Sequence, residues 1–242
     1  MIISSTTNEK IKYLRSLYRD KKARYTNCEY VAEGATMIKD VDPSRVKTYF
    51  VRESDLDEFL PLVKNSEYYV VKDTIFDSIA DTVTPSGIIA VLRMDQNNIV
   101  EGDEVILLCG LSDCGNIGTI IRTACAKGIK TVVLCESADP YSPKSVRASM
   151  GGITKTNIII SSYPDALKML AKFDIVALDM AGKSIFSYQK KTKIAIAVGS
   201  ESHGVPDIIK ANCSDVLSIP MRDDGVESLN ASVAAGIAMY LL

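Results

Sequence analysis

Short apolar runs alternate with stretches of helical spacing over the first 95 residues of this chain. Short runs of apolar and β-branched residues are typical of strands, and apolar residues three and four positions apart are typical of helices. The runs lie at 30–32, 46–51, 68–71 and 88–92, and the helical stretches lie at 34–41, 55–64 and 74–81. This half is therefore predicted to be a small α/β unit.

Longer and more continuous apolar runs follow from residue 105 onwards. Strands that are buried on both faces have this composition, and their alternation with helices favours a parallel sheet covered on both sides. The predicted strands are 105–109, 131–135, 156–160, 174–178, 194–198 and 216–219, and the predicted helices are 117–127, 143–150, 164–172, 205–212 and 228–241. Between the halves, the polar segment MDQNNIVEGDE (94–104) has no periodicity. We therefore predict domains at 1–95 and 105–242, joined by a linker at 96–104.

The length and composition are those of a two-domain cytoplasmic protein. A chain of 242 residues with 47% apolar residues can fill two cores. No apolar run approaches the ~18 residues that cross a bilayer, and MIISSTTNEK lacks the core of a signal peptide. The six cysteines form no CxxC pair, and His203 is the only histidine. Since structural zinc sites use close ligand pairs, we expect reduced thiols and no metal. The missing apolar run leads us to expect no membrane segment.

Basic side chains concentrate near the N-terminus, although the net charge of −2 does not indicate a polyanion partner. Seven of them lie between residues 10 and 24 against a single acid, Asp20, in a segment whose apolar stripe has helical spacing. Thr6 and Glu9 have the spacing of a capping box at its start. Two interpretations stay open, a solvated helix face or a patch that binds a phosphate backbone. The patch comprises Lys21, Lys22 and Arg24.

Three segments that follow predicted strands carry residues that an ordinary loop does not need. In open α/β sheets, ligands bind beyond the carboxyl ends of the strands. The first segment is GLSDCGNIGTIIRTA (110–124), in which Gly115 and Gly118 allow the backbone to approach a ligand. Asn116 can donate and accept hydrogen bonds, and Arg122 is expected on the loop side, with the fork geometry of a phosphate or ribose clamp. An exposed helix arginine is the alternative interpretation of Arg122.

The second and third segments follow the last two predicted strands. Strand 194–198 ends at Gly199, and Glu201 follows in a loop held by Gly204. In the third segment, Ser228 and Asn230 start an alanine-rich helix. Both are good capping residues, but two side chains two positions apart cannot cap one end in the same way. The small residues of this helix permit close packing against the core or against a second subunit.

A dinucleotide-binding unit is an alternative interpretation of the first segment. The order of strand, glycines, helix and strand, with Glu136 at the end of the second strand, imitates a Rossmann unit. However, the glycines fall at 110, 115 and 118 rather than as GxGxxG, and Asn116 and Thr119 add bulk where that motif needs none. An NAD-dependent oxidoreductase therefore stays the weaker interpretation of this segment.

Taken together, the three segments resemble the three motifs of the SpoU/TrmH family of RNA ribose 2′-O-methyltransferases, in the SPOUT superfamily. The family pattern DxGNxGxIxRTAxAxG is similar to DCGNIGTIIRTACAKG (113–128), GxExxG to GSESHG (199–204), and IPMxxxxxSLNxSVAxGI to IPMRDDGVESLNASVAAGI (219–237). DPYSPKSVRASMGG (139–152) also resembles the family's sequence. The motifs run in order through the second half, whereas VAEGATMIKDV (31–41) is the best match to the family's L30e-like domain.

The resemblance implies a knotted (trefoil) parallel-sheet SPOUT domain, a smaller N-terminal L30e-like α/β domain, and an active region formed by two subunits of a homodimer. It also implies S-adenosylmethionine (SAM) as the cofactor. The implied catalytic residues are Asn116, Arg122, Glu201, Ser228 and Asn230. The implied cofactor-binding residues are Gly199, Gly204, Ile219, Pro220, Met221 and Leu229. The RNA-binding candidates are Lys21, Lys22, Arg24 and Arg147.

The expected function is methyl transfer to a ribose 2′-hydroxyl in RNA, with 23S ribosomal RNA as the first expected substrate and transfer RNA as the alternative. A catalytically silent RNA-binding homologue is an alternative of a different class. Two positions depart from the family pattern, because Cys114 stands where proline is frequent and Ser202 where glycine is frequent. We expect Ser202 to change how closely its loop approaches the cofactor. Arg122 is expected to clamp ribose and phosphate rather than act as a base, because a guanidinium keeps its proton.

Overall fold

The computed structural model describes residues 2–82, 84–189, 191–222 and 225–242, which form two sheets. The strands of the first sheet are β1 (Ile2–Ile3), β2 (Glu29–Glu33), β3 (Val46–Arg52), β4 (Tyr68–Val71) and β5 (Ile88–Arg93). The helices of this half are α1 (Glu9–Arg19), α2 (Lys21–Asn27), α3 (Ala35–Lys39), α4 (Leu56–Val63) and α5 (Asp73–Ile79). The strand order is β1-β4-β3-β5-β2, and the sheet is mixed because β5 runs antiparallel to both of its neighbours.

The second sheet contains six strands that all pair in parallel. Its strands are β6 (Glu104–Cys109), β7 (Thr131–Cys135), β8 (Asn157–Ser161), β9 (Asp174–Ser184), β10 (Ile194–Gly199) and β11 (Asp215–Ser218), in the order β11-β9-β10-β6-β7-β8. The helices are α6 (Cys114–Lys127), α7 (Pro143–Ala148), α8 (Tyr163–Met169), α9 (Asp207–Lys210) and α10 (Ala231–Leu241). Strands β9, β10 and β6 are neighbours, so the loops at their carboxyl ends meet at one edge of the sheet.

Helices cover this sheet on both faces, as the continuous apolar strands predict. Along β6, Ile106 and Leu108 belong to one apolar cluster together with residues of α6 and α10. Val105 and Leu107 point the other way and belong to a second cluster with residues of α8 and α9. Successive side chains of a strand point to opposite faces. Both faces of β6 are therefore core, and the prediction of a parallel sheet buried on both sides is confirmed.

Each predicted strand is present, and the differences lie at the ends of elements. Strand β1 has only two residues, too few for an apolar pattern, and it pairs with β4. Strand β9 continues to Ser184, six residues beyond the predicted end at 178, and the register of its partner β11 shifts between Val216 and Leu217. The first residues of this continuation, Asp179 and Met180, line a cavity together with the candidate loop 199–204.

The basic N-terminal segment forms two helices rather than one. Asn8, not Thr6, caps α1, because its side chain accepts the backbone N–H of Lys10. The capping box predicted at Thr6 and Glu9 is therefore wrong, and the cap lies two residues after Thr6. Asp20 is extended, ends α1, and caps α2 by accepting the N–H of Lys22. Asp20 therefore separates the basic side chains of α1 from those of α2.

Candidate active site

Two adjacent cavities open at the carboxyl edge of the second sheet. The main cavity, of about 450 Å³, is lined by the loop 199–204, by Leu178, Asp179 and Met180 at and just beyond the predicted end of β9, and by residues 227–229 before α10. The adjoining cavity, of about 490 Å³, is lined by Met180, the segment 218–222 and residues 225–227. Ligand pockets have volumes of roughly 300–1,000 Å³. Each cavity is therefore large enough for a small organic ligand.

A chain of hydrogen bonds joins the three candidate loops at the rim of the main cavity. The Asn116 Nδ2 donates to Glu201 Oε1 at 2.5 Å, and the Asn230 Nδ2 donates to Asn116 Oδ1 at 3.0 Å. Asn230 Oδ1 meanwhile accepts the N–H groups of Ser232 and Val233 and so caps α10. The structure thus brings together three of the five predicted catalytic residues and shows that Asn230, rather than Ser228, is the cap.

The first loop is fixed by the capping of α6. Asp113 accepts the backbone N–H of Asn116 and a hydrogen bond of 2.5 Å from Lys144. The Lys144 ammonium and that backbone N–H hold the pKa of the Asp113 carboxyl below its ordinary value. A carboxylate at a helix N-terminus is also favoured by the helix dipole. Asn116 is therefore presented from a rigid first turn rather than from a mobile loop.

The second loop needs glycine at its start because it folds back on itself. Gly204 N–H donates to the carbonyl of Ser200, and these residues form an isolated antiparallel bridge. A Cβ on Gly199 would lie 1.9 Å from the carbonyl carbon of Gly204, which no side chain permits. Gly204 itself has a φ of 65°, in the left-handed region that favours glycine. Both glycines serve the turn that lines the main cavity, and Ser202 lies exposed at its tip.

The predicted cofactor-binding residues divide between the two cavities. Gly199, Gly204 and Leu229 line the main cavity together with Glu201 and Ser228. The adjoining cavity is lined by the other three predicted residues, Ile219, Pro220 and Met221. The two cavities share Met180 and Glu227, so the six residues surround one continuous region.

Asp179 is a cavity residue that the sequence did not single out. Its Oδ2 accepts a hydrogen bond of 2.5 Å from Lys210, and its Oδ1 accepts the backbone N–H of Ala181. The Lys210 ammonium, followed by the N–H of Ala181, holds the pKa of Asp179 below its ordinary value. The rule that ligands bind beyond strand ends applies to the predicted strand 174–178 as well, and would have found it.

Arg122 lies apart from these cavities. Its side chain is exposed on α6 and lines neither cavity. It forms no hydrogen bond or ion pair with the other described residues. Arg122 therefore lines neither cavity of its own chain, and its place on the loop side stays a prediction. Ser228 is the fifth predicted catalytic residue, and it lines the main cavity from the segment before α10.

Gly118 packs against protein rather than against a ligand. A Cβ on Gly118 would lie 2.3 Å from the carbonyl oxygen of Ser145 in α7, because α6 and α7 touch at this point. Gly115 is different, since a Cβ there would meet only the side chains of Asp113 and Lys144. The expectation that Gly118 admits a ligand is therefore wrong, and its small size is required by helix packing.

The RNA-binding candidates differ in their exposure. Lys21, Lys22 and Arg147 are exposed, and Arg147 forms an ion pair of 2.6 Å with Asp81. Arg24 is instead 4% exposed, and its guanidinium is occupied by Asp139 and by backbone carbonyls. A phosphate cannot reach a guanidinium that is buried and already paired. We therefore exclude Arg24 from the candidate RNA-binding surface.

Two kinds of site are not found in the described ranges. No group of three histidine, cysteine or carboxylate side chains there is arranged to hold a metal ion. Among the same residues, no helix combines the length and the apolar character needed to cross a bilayer.

Comparisons with known proteins match both halves of the chain. A family model described as the SpoU rRNA Methylase family matches residues 103–240. A second model, described as the MRM3-like substrate binding domain, matches residues 8–90. The first match contains all three motifs of the candidate active site, and the second contains the basic helices α1 and α2.

Individual relatives match over nearly the whole chain. A 23S rRNA (guanosine(2553)-2′-O)-methyltransferase, RlmP, of Bacillus subtilis is 28% identical over 99% of this chain and 98% of its own length. A 23S rRNA (guanosine-2′-O-)-methyltransferase, RlmB, of Acinetobacter baylyi is 26% identical over 87% of this chain and 94% of its own. The crystal structure of an AdoMet-bound rRNA methyltransferase from Sinorhizobium meliloti has the same fold, with a TM-score of 0.88 and 24% identity over 100% of this chain and 96% of that one.

Proposed function

Because this chain belongs to the SpoU rRNA Methylase family, we propose that it is an enzyme that transfers a methyl group from SAM to a ribose 2′-hydroxyl of RNA. The observation that carries the proposal is the hydrogen-bonded chain Glu201–Asn116–Asn230, which joins the three motifs at the rim of the main cavity. The dinucleotide alternative loses its support, because residues 103–240 match the SpoU rRNA Methylase family and the glycines of the first segment do not form GxGxxG.

The residues around the main cavity fit SAM, which is a cation with apolar and polar parts. Leu178, Leu229 and Ala234 supply apolar walls, and Asp179 and Glu201 supply carboxylates of the sign that a sulfonium and an ammonium group require. The volume of about 450 Å³ lies in the range of pockets for ligands of this size. In our proposal the predicted cofactor-binding residues of both cavities hold it, with backbone contacts at Gly199, Ile219 and Leu229.

The chemistry requires the ribose oxygen to be held in line with the methyl carbon while the hydroxyl proton passes to solvent, so positioning contributes much of the rate. When bound, SAM supplies a methyl carbon that its sulfonium already activates. Asn116, Glu201 and Asn230 hold one another at the rim, where they orient the ribose, and Ser228 lies beside them. Arg122 clamps the ribose and the adjacent phosphate and lowers the pKa of the 2′-hydroxyl, since a permanently charged guanidinium stabilises the alkoxide that forms.

We propose that two subunits of a homodimer form this site, because Arg122 lines neither cavity of its own chain. Helix α10 exposes Val233, Tyr240 and Leu241, which lie at helical spacing on one stripe. An exposed apolar stripe of this kind is typical of a protein interface. Covering it with a second copy would bring the Arg122 of one subunit towards the cavity of the other. The trefoil knot and the cytoplasmic location belong to the same proposal.

The proposed substrate is 23S ribosomal RNA, with transfer RNA as the alternative. Both relatives named above are 23S rRNA methyltransferases that modify guanosine. Lys21, Lys22 and Arg147 supply exposed cations for the phosphate backbone. The proposed domain division at 96–104 places the first two of these in the substrate-binding half and the methyl transfer in the other.

Two measurements test this function. The first is the melting temperature with S-adenosylhomocysteine (SAH), SAM or NAD added. We expect SAH and SAM to raise it and NAD to leave it unchanged, because a ligand that binds the native state stabilises it. Mass mapping of 2′-O-methyl marks in RNA from cells with and without this protein is expected to show one lost mark in 23S rRNA. Stabilisation by NAD alone would contradict the proposal, and binding of SAH with no lost mark in any RNA would favour the catalytically silent binding protein.

A further inference from the structure

A buried ion pair joins the two sheets of this protein. The side chains of Arg24 in α2 and Asp139, in the loop after β7, are only 5% and 6% exposed. Arg24 donates from Nε and Nη2 to Asp139 Oδ2 at 2.9 and 2.6 Å. Charged side chains are almost never fully buried unless they are paired. Neither of these two can therefore leave the other without placing an uncompensated charge in the interior.

The remaining nitrogen of Arg24 binds the end of the neighbouring helix. Its Nη1 donates to the carbonyls of Leu17 and Tyr18 at 2.7 and 3.2 Å. These carbonyls belong to the last turn of α1, where helical carbonyls lack partners within the helix. One guanidinium thus connects α1, α2 and Asp139.

Asp139 is in turn connected to the N-terminus of α6. Its Oδ1 accepts the Tyr25 hydroxyl and the backbone N–H of Tyr141, each at 2.9 Å. Its carbonyl lies 3.0 Å from Ser145 Oγ, which also lies 2.9 Å from the carbonyl of Cys114. Cys114 is the first residue of α6. The contacts therefore run without a gap from the basic helices to the helix that carries Arg122.

The segment 139–152 touches α6 at two further points. At Gly118 a Cβ would lie 2.3 Å from the carbonyl oxygen of Ser145, and at Gly152 a Cβ would lie 3.1 Å from the Cα of Arg122. These distances leave no room for α6 to slide along the segment, because a packed interior resists even a methylene of displacement. Contacts of the same segment therefore connect Asp139 to the backbone of Arg122 itself.

We propose that the Arg24–Asp139 pair is a positioning device that sets the distance between RNA bound on α2 and the arginine that clamps its ribose. This inference rests on the proposed function and adds a role for two residues that touch neither RNA nor cofactor. Lys21 and Lys22 lie on the same short helix as Arg24, so the pair fixes the phosphate contacts relative to Arg122 of the same subunit. A displacement of about 1 Å at a reacting group can lower a rate by about a hundredfold.

Stability alone does not account for this pair. Replacing a buried ion pair by apolar side chains of similar volume is often neutral or stabilising, so ion pairs are weak evidence of a stabilising role. A second ion pair between the sheets, Lys155 with Asp40, is half-exposed and 3.8 Å long. Surface pairs of this kind contribute little to stability. The Lys155–Asp40 pair therefore offers a matched control, because it also joins the two halves.

The test compares the full-length double variant Arg24→Met/Asp139→Leu with wild type, with Arg24→Lys and with the control Asp40→Asn. Three quantities are measured for each protein. They are the affinity for SAH by calorimetry, the affinity for 23S rRNA from cells that lack this protein, and the single-turnover rate of methylation of that RNA. The double variant is expected to fold with a lower melting temperature, because it leaves no unpaired charge but removes the partners of Tyr25, of the Tyr141 N–H and of the Leu17 and Tyr18 carbonyls. It is expected to bind both ligands within about twofold of wild type. Its single-turnover rate at saturating RNA is expected to fall at least about tenfold. Arg24→Lys is expected to retain an intermediate rate, and Asp40→Asn the full rate.

Two outcomes would overturn the inference. They are a wild-type rate in the double variant, and a loss of SAH binding that matches the loss of rate, which is the signature of a merely structural role. If wild type itself binds SAH but methylates none of the RNA, the proposed function fails while the pair can still be judged. Amide hydrogen exchange over residues 114–122 then decides, since faster exchange in the double variant supports the connection and unchanged exchange contradicts it.

Discussion

Arg122 is the residue on which the proposed chemistry depends, and it lines neither cavity of its own chain. Its role as a clamp follows from side-chain chemistry, since a guanidinium offers a planar fork of donors to phosphate and sugar oxygens. We expect Arg122→Ala to lower the single-turnover rate of methyl transfer by about a hundredfold or more, the size of effect seen when one transition-state donor is removed. The dissociation constant for SAH, measured by calorimetry, is expected to stay within about twofold.

Arg122→Lys is the matched control, because it keeps the charge and loses the fork. A rate between those of wild type and Arg122→Ala would separate the two contributions. Near-normal turnover by Arg122→Ala would show that another group activates the ribose.

Asn230 combines two functions that a single substitution can separate. Its Oδ1 caps α10, and its Nδ2 donates to Asn116 at the rim of the main cavity. Asn230→Asp keeps an acceptor for the cap, which a helix N-terminus favours, and removes the donor. We expect an unchanged or raised melting temperature and a rate of methyl transfer that falls about tenfold. Full activity in Asn230→Asp would show that the bond to Asn116 is not needed.

Asn230→Ala is the comparison that removes both functions. Losing a cap costs about 1 kcal/mol, so its melting temperature is expected to fall while that of Asn230→Asp does not. Equal melting temperatures in the two variants would contradict the capping role.

At the scale of elements, helices α1 and α2 show where sequence patterns stop. The apolar stripe of α1 predicts which side is buried, and Ile11, Leu14 and Leu17 are fully buried. The same pattern places Arg24 among surface cations, whereas Arg24 pairs with Asp139, 115 positions away. Local spacing carries no information about a partner so distant, and only the fold brings the two charges together.

The exposed lysines of α2 give a prediction about RNA binding. Lys21→Glu with Lys22→Glu is expected to weaken RNA binding and to reduce the slope of log affinity against log salt by about two, because each phosphate contact releases counterions. Filter binding across a range of salt concentrations measures this slope. Lys168→Glu with Lys172→Glu on and after α8 changes the net charge equally and serves as the control. An equal slope in wild type and the α2 variant would show that these lysines lie on a solvated helix face and do not contact RNA.

At the scale of the whole molecule, the sequence predicts the second sheet well because its strands are continuous apolar runs bounded by polar loops. The three candidate segments follow the ends of predicted strands, and in the structure their residues Asn116, Glu201 and Asn230 are joined by hydrogen bonds. Asp179 directly follows the predicted end of its strand at 178, so the rule that ligands bind beyond strand ends also reaches it, although β9 continues past this point to Ser184. In our proposal Arg122 faces the cavity of the other subunit, and the pattern of a single chain carries no information about such a contact.

The proposal that the active site is shared can be tested by mixing two inactive variants. Arg122→Ala keeps the cavities, while Gly199→Ala keeps Arg122 and forces a Cβ to within 1.9 Å of the Gly204 carbonyl carbon, which disrupts the cofactor loop. If subunits pair at random, half of the dimers are mixed and each has one complete site, so about a quarter of wild-type activity is expected. Each variant alone is expected to be inactive. Arg122→Ala mixed with the double variant Arg122→Ala/Gly199→Ala contains no complete site and gives the background rate. Co-purification of two differently tagged variants shows that mixed dimers form. With mixed dimers present, a mixture as inactive as the background would place Arg122 and the cofactor in the same subunit.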